Sequence, residues 1–416
     1  MREALRNPSY AKLFSAQVVA LLGTGILTIA LGLLAFDVAG GDAGIVLGVA
    51  LTLKMLAYVG VAPLVSALVG HLPRKPVLIS ADIVRAVIAI SLPFVTDVWQ
   101  IYVLVFTLQA ASATFTPAFQ AVIPEVLPDE TQYTHALSLS RMAYDLEAIV
   151  SPLLAVALLT VLSYDNLFVG TFLGFVGSAI LVFVTTFPRI APAPPARFVQ
   201  RLTRGSRIFW QTAELRSLIL LNLVVATATA TVIVNTVVLV QGELDRSQTD
   251  VALLFAAYGA GSMAVALTIP ALLEKASDRK VMLGGGMILP VALAGVAWVI
   301  GMPGSALTWV ALMVLWLVLG AATSLILTPS GRLLRRAGDE SERPAIFAAQ
   351  FSISHACYLI TYPVAGVAGT FLGLPTTTLL LAGIGAVAAV IARSAWTPSA
   401  GVSLSRQPRP GVRHRH

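Results

Sequence analysis

Charge is scarce in this chain: Asp, Glu, Lys and Arg make up 11% of 416 residues, while 57% are hydrophobic. A water-exposed domain carries about 25% charged residues, so a soluble fold is excluded and the chain belongs in a bilayer. Cysteine is scarcer still. Cys357 stands alone, which rules out an internal disulfide, and its place inside an apolar run leaves the redox compartment undetermined. No HExxH, GxSxG or GxxxxGK[ST] pattern occurs, so the spacings that build a zinc hydrolase, a serine hydrolase or an ATP-binding loop are missing and neither an enzyme nor an ATP-driven pump is expected. Aromatics reach only 8% with the phenylalanines scattered, a composition that does not favour a wide aromatic-lined cavity. Alternating segments of about ten residues, the mark of a membrane barrel, are absent as well.

What is present is a series of long apolar runs: 13–36, 44–69, 77–96, 99–123, 136–162, 166–187, 217–241, 251–273, 281–301, 305–328, 345–371 and 376–396. Each approaches the ~20 residues a helix needs to cross the hydrocarbon, so the fold expected is all-α with twelve transmembrane helices. The first run is too long for a signal-peptide core and reads as a retained span. With the N-terminus cytoplasmic, 23 of the 27 Lys and Arg residues fall in inward gaps and one, Arg246, in an outward gap. Cations near span ends stay on the cytoplasmic side during insertion, so both termini are expected there, in a multi-pass protein of the plasma membrane. The net charge of +7 is spread thinly over those inward segments. Anionic lipid headgroups, rather than nucleic acid, are the expected neighbours.

The apolar rhythm breaks at 189–216, where a proline-rich stretch precedes a basic amphipathic one. This reads as a cytoplasmic linker with a helix lying along the membrane surface. It divides a first six-helix bundle, 1–188, from a second, 217–396, followed by a basic tail, 397–416. Punctuation repeats between the halves: Arg74-Lys75 recurs 205 residues on as Arg279-Lys280, Thr116-Pro117 recurs 212 on as Thr328-Pro329, and Pro152 recurs 211 on as Pro363. Parallel six-helix repeats place a shared cavity between two bundles that rock about it. Pro117, Pro152, Pro329 and Pro363 are expected to kink or end their helices and so free backbone carbonyls.

Across all twelve runs the chain resembles the major facilitator superfamily. The stretch SALVGHLPRKPVLISADIVRA, Ser66 to Ala86, is similar to that family's loop signature between the second and third spans. It keeps the basic pair Arg74 and Lys75 but has Ser66, Gly70 and His71 where Gly, Asp and Arg would fall. The resemblance implies a gating latch carried by Arg74 and Lys75, with Asp82 and Arg85 matching the trailing acid and base. LRNPSYAKLFSAQVVALLGTG (Leu5 to Gly25), ALSLSRMAYDLEAIVSP (Ala136 to Pro152) and AAQFSISHACYLITYPVAG (Ala348 to Gly366) resemble the nickel-efflux branch of the superfamily. That likeness implies export of a divalent transition metal. Members of the branch often end in a histidine-rich tail, whereas this chain ends in His414-Arg415-His416.

Ionisable groups inside spans need a partner or a wet cavity, since each costs roughly 2.5–3.5 kcal/mol at mid-bilayer. By helical rise, Lys54, Asp145, Glu147, His355 and Gln109 share one layer ~13–16 Å deep. Arg141 and Asp145, four apart, share a helix face and can neutralise each other. Glu147 has no local cation, so it either meets Lys54 across the bundle or titrates, as a proton-coupling group must. An imidazole with carboxylates suits Ni²⁺ or Co²⁺, which makes His355, Asp145 and Glu147 the candidate metal ligands. The 211-residue offset carries Tyr144 onto His355, placing Asp145 and His355 near equivalent positions of the two halves. The leading expectation is a proton-coupled exporter of a metal such as nickel, acting as a monomer without a cofactor. Export of a drug-like or siderophore-like organic compound is the alternative.

Overall fold

A computed structural model describes residues 2–39, 43–69, 72–188 and 197–396. Gly70 and His71, linker residues 189–196 and the tail 397–416 with His414 and His416 lie outside the described residues.

Twelve long helices account for the apolar runs among the described residues. They are α1 (Pro8–Ala39), α2 (Ala43–Val69), α3 (Arg74–Ser91), α4 (Val98–Val126), α5 (Glu130–Leu159) and α6 (Asp165–Phe183), then α7 (Ala213–Ala230), α8 (Gln248–Lys275), α9 (Asp278–Ile300), α10 (Ala306–Arg336), α11 (Arg343–Pro363) and α12 (Leu374–Ala395). Eleven of them are long and apolar enough to cross a membrane; the other, α5, is the 30-residue helix that carries Arg141, Asp145 and Glu147. It begins six residues before the apolar run because Asp129 caps it, its carboxylate accepting the Gln132 amide at 2.8 Å.

The helices form two bundles with the same internal wiring. In the first, α1 packs on α6 and α5, and α4 on α2 and α3; in the second, α7 packs on α12 and α11, and α10 on α8 and α9. Each pair maps onto its partner by adding six to the helix number, the pseudo-repeat expected from the punctuation. The bundles meet where α2 lies on α11 and α5 on α8, two contacts exchanged by the same symmetry. Small residues let the second bundle close tightly: a side chain at Gly261 of α8 would come within 1.9 Å of the Leu317 carbonyl of α10, and one at Gly320 of α10 within 1.9 Å of the Tyr258 carbonyl of α8. Lipid gives packed helices no hydrophobic drive, so close van der Waals approach at such residues holds them together.

Pro117 and Pro329 sit inside continuous helices. Pro363 marks a real change: α11 continues through a π-helical turn, Val364–Ala368, which lies against the first of two such turns that prolong α7, at Thr231–Asn235 and Val238–Glu243. The chain then reverses at Gly373, whose φ of 78° and ψ of 159° lie in a region open to little but glycine. The amphipathic stretch forms a helix at Phe198–Gln211, shorter than the 189–216 assigned to the linker. It lies against α11, α2 and α7, with Gly205 so close to the Ala345 carbonyl that a Cβ would come within 2.1 Å. This linker helix and the arginine-rich turns define a basic end of the molecule, opposite to the end of the π-turns.

Gly320→Val is expected to overpack the α8–α10 contact at a cost of about 1–3 kcal/mol, read as a lower midpoint for heat unfolding in detergent with the charged residues untouched.

Candidate functional site

A cavity of about 380 Å³ lies between the bundles, lined from α1, α2, α4 and α5 on one side and α10 and α11 on the other. It reaches from the middle of the helices toward the basic end. The composition-based expectation against an aromatic lining is overturned here: Tyr58, Tyr133, Tyr144, Phe347, Phe351 and Tyr358 all face it. Few aromatics suffice because helical spacing gathers them. Phe351, His355, Tyr358 and Tyr362 follow one another along α11, with Tyr58 of α2 opposite; centroid distances are 4.8 Å for Tyr58–Phe351, 4.7 Å for Tyr58–His355 and 5.4 Å for Tyr358–Tyr362. Amide and hydroxyl groups fill the rest of the wall, including Gln17, Gln120, Gln350, Ser140 and Thr328.

His355 belongs to this wall and its tautomer is set by the backbone. Its Nδ1 lies 2.7 Å from the Phe351 carbonyl oxygen. A carbonyl only accepts, so Nδ1 carries the proton and Nε2 is left as an acceptor. Gln109 turns the other way, its side-chain oxygen accepting the Tyr58 hydroxyl at 2.9 Å. Arg141 spans the two bundles: its Nη2 pairs with Asp145 at 2.9 Å, and its Nε donates to Ser262 of α8 at 2.9 Å. Asp145 is buried behind the guanidinium rather than on the cavity wall.

Glu147 and Lys54 form a separate layer, beyond the cavity toward the end of the π-turns. Glu147 packs into a notch of α1, since a Cβ on Gly25 would come within 2.6 Å of its Oε1 and 2.2 Å of Ser151 Oγ. Lys54 approaches the Tyr58 ring at 5.6 Å. Neither makes an ion pair with another described residue. Among the described residues no three His, Cys, Asp or Glu side chains come together. The ligand set His355, Asp145 and Glu147 therefore does not assemble: Asp145 is held by Arg141, Glu147 sits against α1, and His355 stands among aromatic rings on α11.

The expected latch residues separate in the same way. Asp82 and Arg85 lie inside the first bundle instead of at a gate. Asp82 is fully buried, pairs with Arg85 and accepts the Ser178 hydroxyl of α6 at 2.8 Å, while the guanidinium is sandwiched between Phe115 at 4.2 Å and Phe175 at 4.6 Å. A charge buried in that way is tolerated because it is paired and hydrogen-bonded. Lys75 caps the end of α6, donating to the Thr185 carbonyl at 3.1 Å. Arg74 does cross between the bundles, pairing with Glu125 of α4 at 2.5 Å and donating to the Glu340 carbonyl at 3.0 Å.

The larger clasp was not anticipated. Glu130, at the start of α5, meets Arg332 at 2.9 Å and also Arg336, both on α10; Asp278, at the start of α9, meets the same two arginines at 3.1 and 2.7 Å. Tyr133 donates to the Gly331 carbonyl at 3.1 Å, and Arg335 donates to the Pro128 carbonyl. The bonds of Glu130, Tyr133 and Pro128 join the two bundles at the basic end of the cavity, and those of Asp278 hold the arginines within the second bundle. The basic pair itself was legible: at the 205-residue offset Asp278-Arg279-Lys280 repeats the place of Pro73-Arg74-Lys75, with an acid where the first half has proline. On the other flank, Arg204 of the linker helix pairs with Glu342 at 2.8 Å.

Two helical bundles of matching topology, a cavity between them and a charged clasp at one end define a membrane protein of two facing halves. The chain belongs to the Major Facilitator Superfamily, whose description it matches twice, over residues 13–231 and 218–412. Over 218 residues it is 27% identical to macrolide efflux protein A of Streptococcus pyogenes, a stretch that covers 50% of this chain and 53% of that protein. The match thus spans about half the length of that relative. The fold is similar to that of the human organic anion transporter MFSD10, with a TM-score of 0.78 at 13% identity over 93% of this chain and 99% of the other. It is also similar to that of the E. coli fucose:proton symporter, with a TM-score of 0.71 at 17% identity over 93% and 98%.

The clasp should govern access to the cavity. In a Cys357→Ser background, Ser330→Cys places a thiol on the wall. Removing the acid that crosses between the bundles with Glu130→Gln is expected to speed its labelling by a membrane-impermeant maleimide from the basic end. Loss of roughly 1 kcal/mol of partly exposed ion pairing corresponds to about a fivefold higher rate.

Proposed function

We propose that the chain is a secondary exporter of an organic compound, working by alternating access and driven by proton exchange. The observation that carries this is the cavity, whose volume lies within the ~300–1,000 Å³ of sites for small organic molecules and whose wall of aromatic rings, amides and hydroxyls offers no cluster of metal ligands among the described residues. The half-length likeness to macrolide efflux proteins supports the same reading. The nickel reading draws no support from either: the proposed ligands stand apart, and the relatives are named for a different cargo.

In this scheme the units 1–188 and 217–396 rock about the cavity while the 189–216 linker keeps them tethered, with both termini cytoplasmic and a single chain as the working unit. Basic residues at the cytoplasmic end face anionic lipid. Glu147 is the proton-coupling group. It is a half-buried carboxylate in the layer beyond the cavity that makes no ion pair with another described residue, and Lys54 is the charge near enough to respond when it gains or loses a proton. Gln109 orients Tyr58 on the cavity side of that layer.

Expression in a host stripped of its own exporters tests cargo and coupling together. Cells should hold less of a radiolabelled macrolide when the chain is present, and their tolerance to Ni²⁺ should be unchanged. Collapse of the proton gradient should abolish the difference. Glu147→Gln should cut proton-driven export by about tenfold, within the usual range of a coupling free energy, at unchanged membrane abundance. Tolerance to Ni²⁺ alone, or full activity in the glutamine variant, would refute the corresponding part of the reading.

A further inference from the structure

The charge on the cavity wall narrows the cargo class. Among the described residues the wall holds one formal charge, the guanidinium of Arg141, and no carboxylate. Arg141 has five N–H donors. One goes to Ser262 and one to Asp145, both at 2.9 Å, which leaves three for the cavity. Asp145 holds the guanidinium from behind and half-neutralises it, so the outward face of the pair is a set of fixed donors with a partial positive charge. Opposite it, Nε2 of His355 is an acceptor, because Nδ1 is committed to the Phe351 carbonyl. Gln120 makes no bond to another described residue and offers both a donor and an acceptor. The rings of Tyr58, Phe351 and Tyr358 supply flat faces between these polar points.

Resting on the exporter reading above, we infer that Arg141 is the specificity residue of the cavity, reading a carbonyl or carboxylate oxygen of an aromatic or amphipathic organic cargo that is neutral or singly anionic. A permanent organic cation is disfavoured. It would leave water for a wall with no anionic partner and would face the guanidinium directly, a desolvation that no contact offsets. An oxygen acceptor gains a charge-assisted hydrogen bond there instead. Glu147, which makes no ion pair with another described residue, is six residues further along α5, about 9 Å along the axis and off the lining. The aromatic wall therefore binds by stacking and does not form a cation cage closed by an acid.

The test uses the full chain purified into lipid nanodiscs and three flat probes of similar size: 7-hydroxycoumarin-3-carboxylate, its carboxamide, and ethidium. Equilibrium binding is read by fluorescence. The carboxylate and the carboxamide should bind and compete with each other, with ethidium at least about tenfold weaker. Because Arg141→Gln alone strands Asp145 as a buried charge, the Arg141→Gln/Asp145→Asn pair serves as the neutral variant, and Arg141→Lys keeps the charge without the fork. The neutral variant should lose about tenfold in affinity for the carboxylate, the worth of one charge-assisted hydrogen bond, and less for the carboxamide; lysine should restore part of the carboxylate affinity only. Ethidium binding as tight as the carboxylate, unchanged carboxylate affinity in the neutral variant, or no binding of any probe would overturn the inference. A macrolide carries a protonated amine at neutral pH, so macrolide export unchanged in the Arg141→Gln/Asp145→Asn pair would remove Arg141 from its role and leave the exporter reading standing.

Discussion

Taking a charge out of water into hydrocarbon is the constraint on which the rest of this structure depends. Each buried ion among the helices is answered in one of two ways. Asp82 and Arg85 neutralise each other inside the first bundle, with Ser178 and two phenylalanine rings completing the site. Arg141 and Asp145 do the same at the bundle interface, where Ser262 from the second bundle joins them. Glu147 and Lys54 instead stand near each other without direct contact. The contrast separates paired ions, whose loss of one partner would leave an uncompensated charge, from the two groups on which the proposed proton coupling rests.

The same accounting explains why the two ends of the molecule differ. At the basic end, arginines from α10 meet acids from α5 and α9, and the linker helix adds its own pair to α11. The links from Glu130 and Arg204 that join separate parts of the fold are partly exposed, so each is weak and reversible, whereas Asp278 is buried and its pairs lie within the second bundle. At the other end the second bundle is marked by π-helical turns in α7 and α11. Such turns leave the regular hydrogen-bond ladder and often accompany functional bends. The cavity therefore lies between an electrostatic clasp and helices with irregular backbone.

Much of this was legible before any coordinates. Span number followed from hydropathy, and the two-fold repeat followed from prolines and basic pairs at constant offsets. Arg141 and Asp145 could be paired on paper because four residues along a helix is a local relation. The errors were all relations between distant segments. Asp82 and Arg85 were placed at a gate because they follow the loop signature, whereas α6 closes over them and buries them in the first bundle. His355 was grouped with Asp145 and Glu147 by depth, but depth fixes only height along the membrane normal and says nothing of azimuth. The clasp joins Glu130 to Arg336 across 206 positions and Asp278 to Arg336 across 58, beyond any spacing rule.

By itself, then, the sequence determined that the chain is helical, membrane-embedded and duplicated, because hydropathy and periodicity act over a single helix and need no partner. Only the tertiary structure decided which ionisable groups touch, which face the cavity and which seal it. Those choices depend on how twelve helices rotate about their own axes when they pack, and close approach at residues such as Gly25, Gly261 and Gly320 sets that rotation to within a fraction of a side chain.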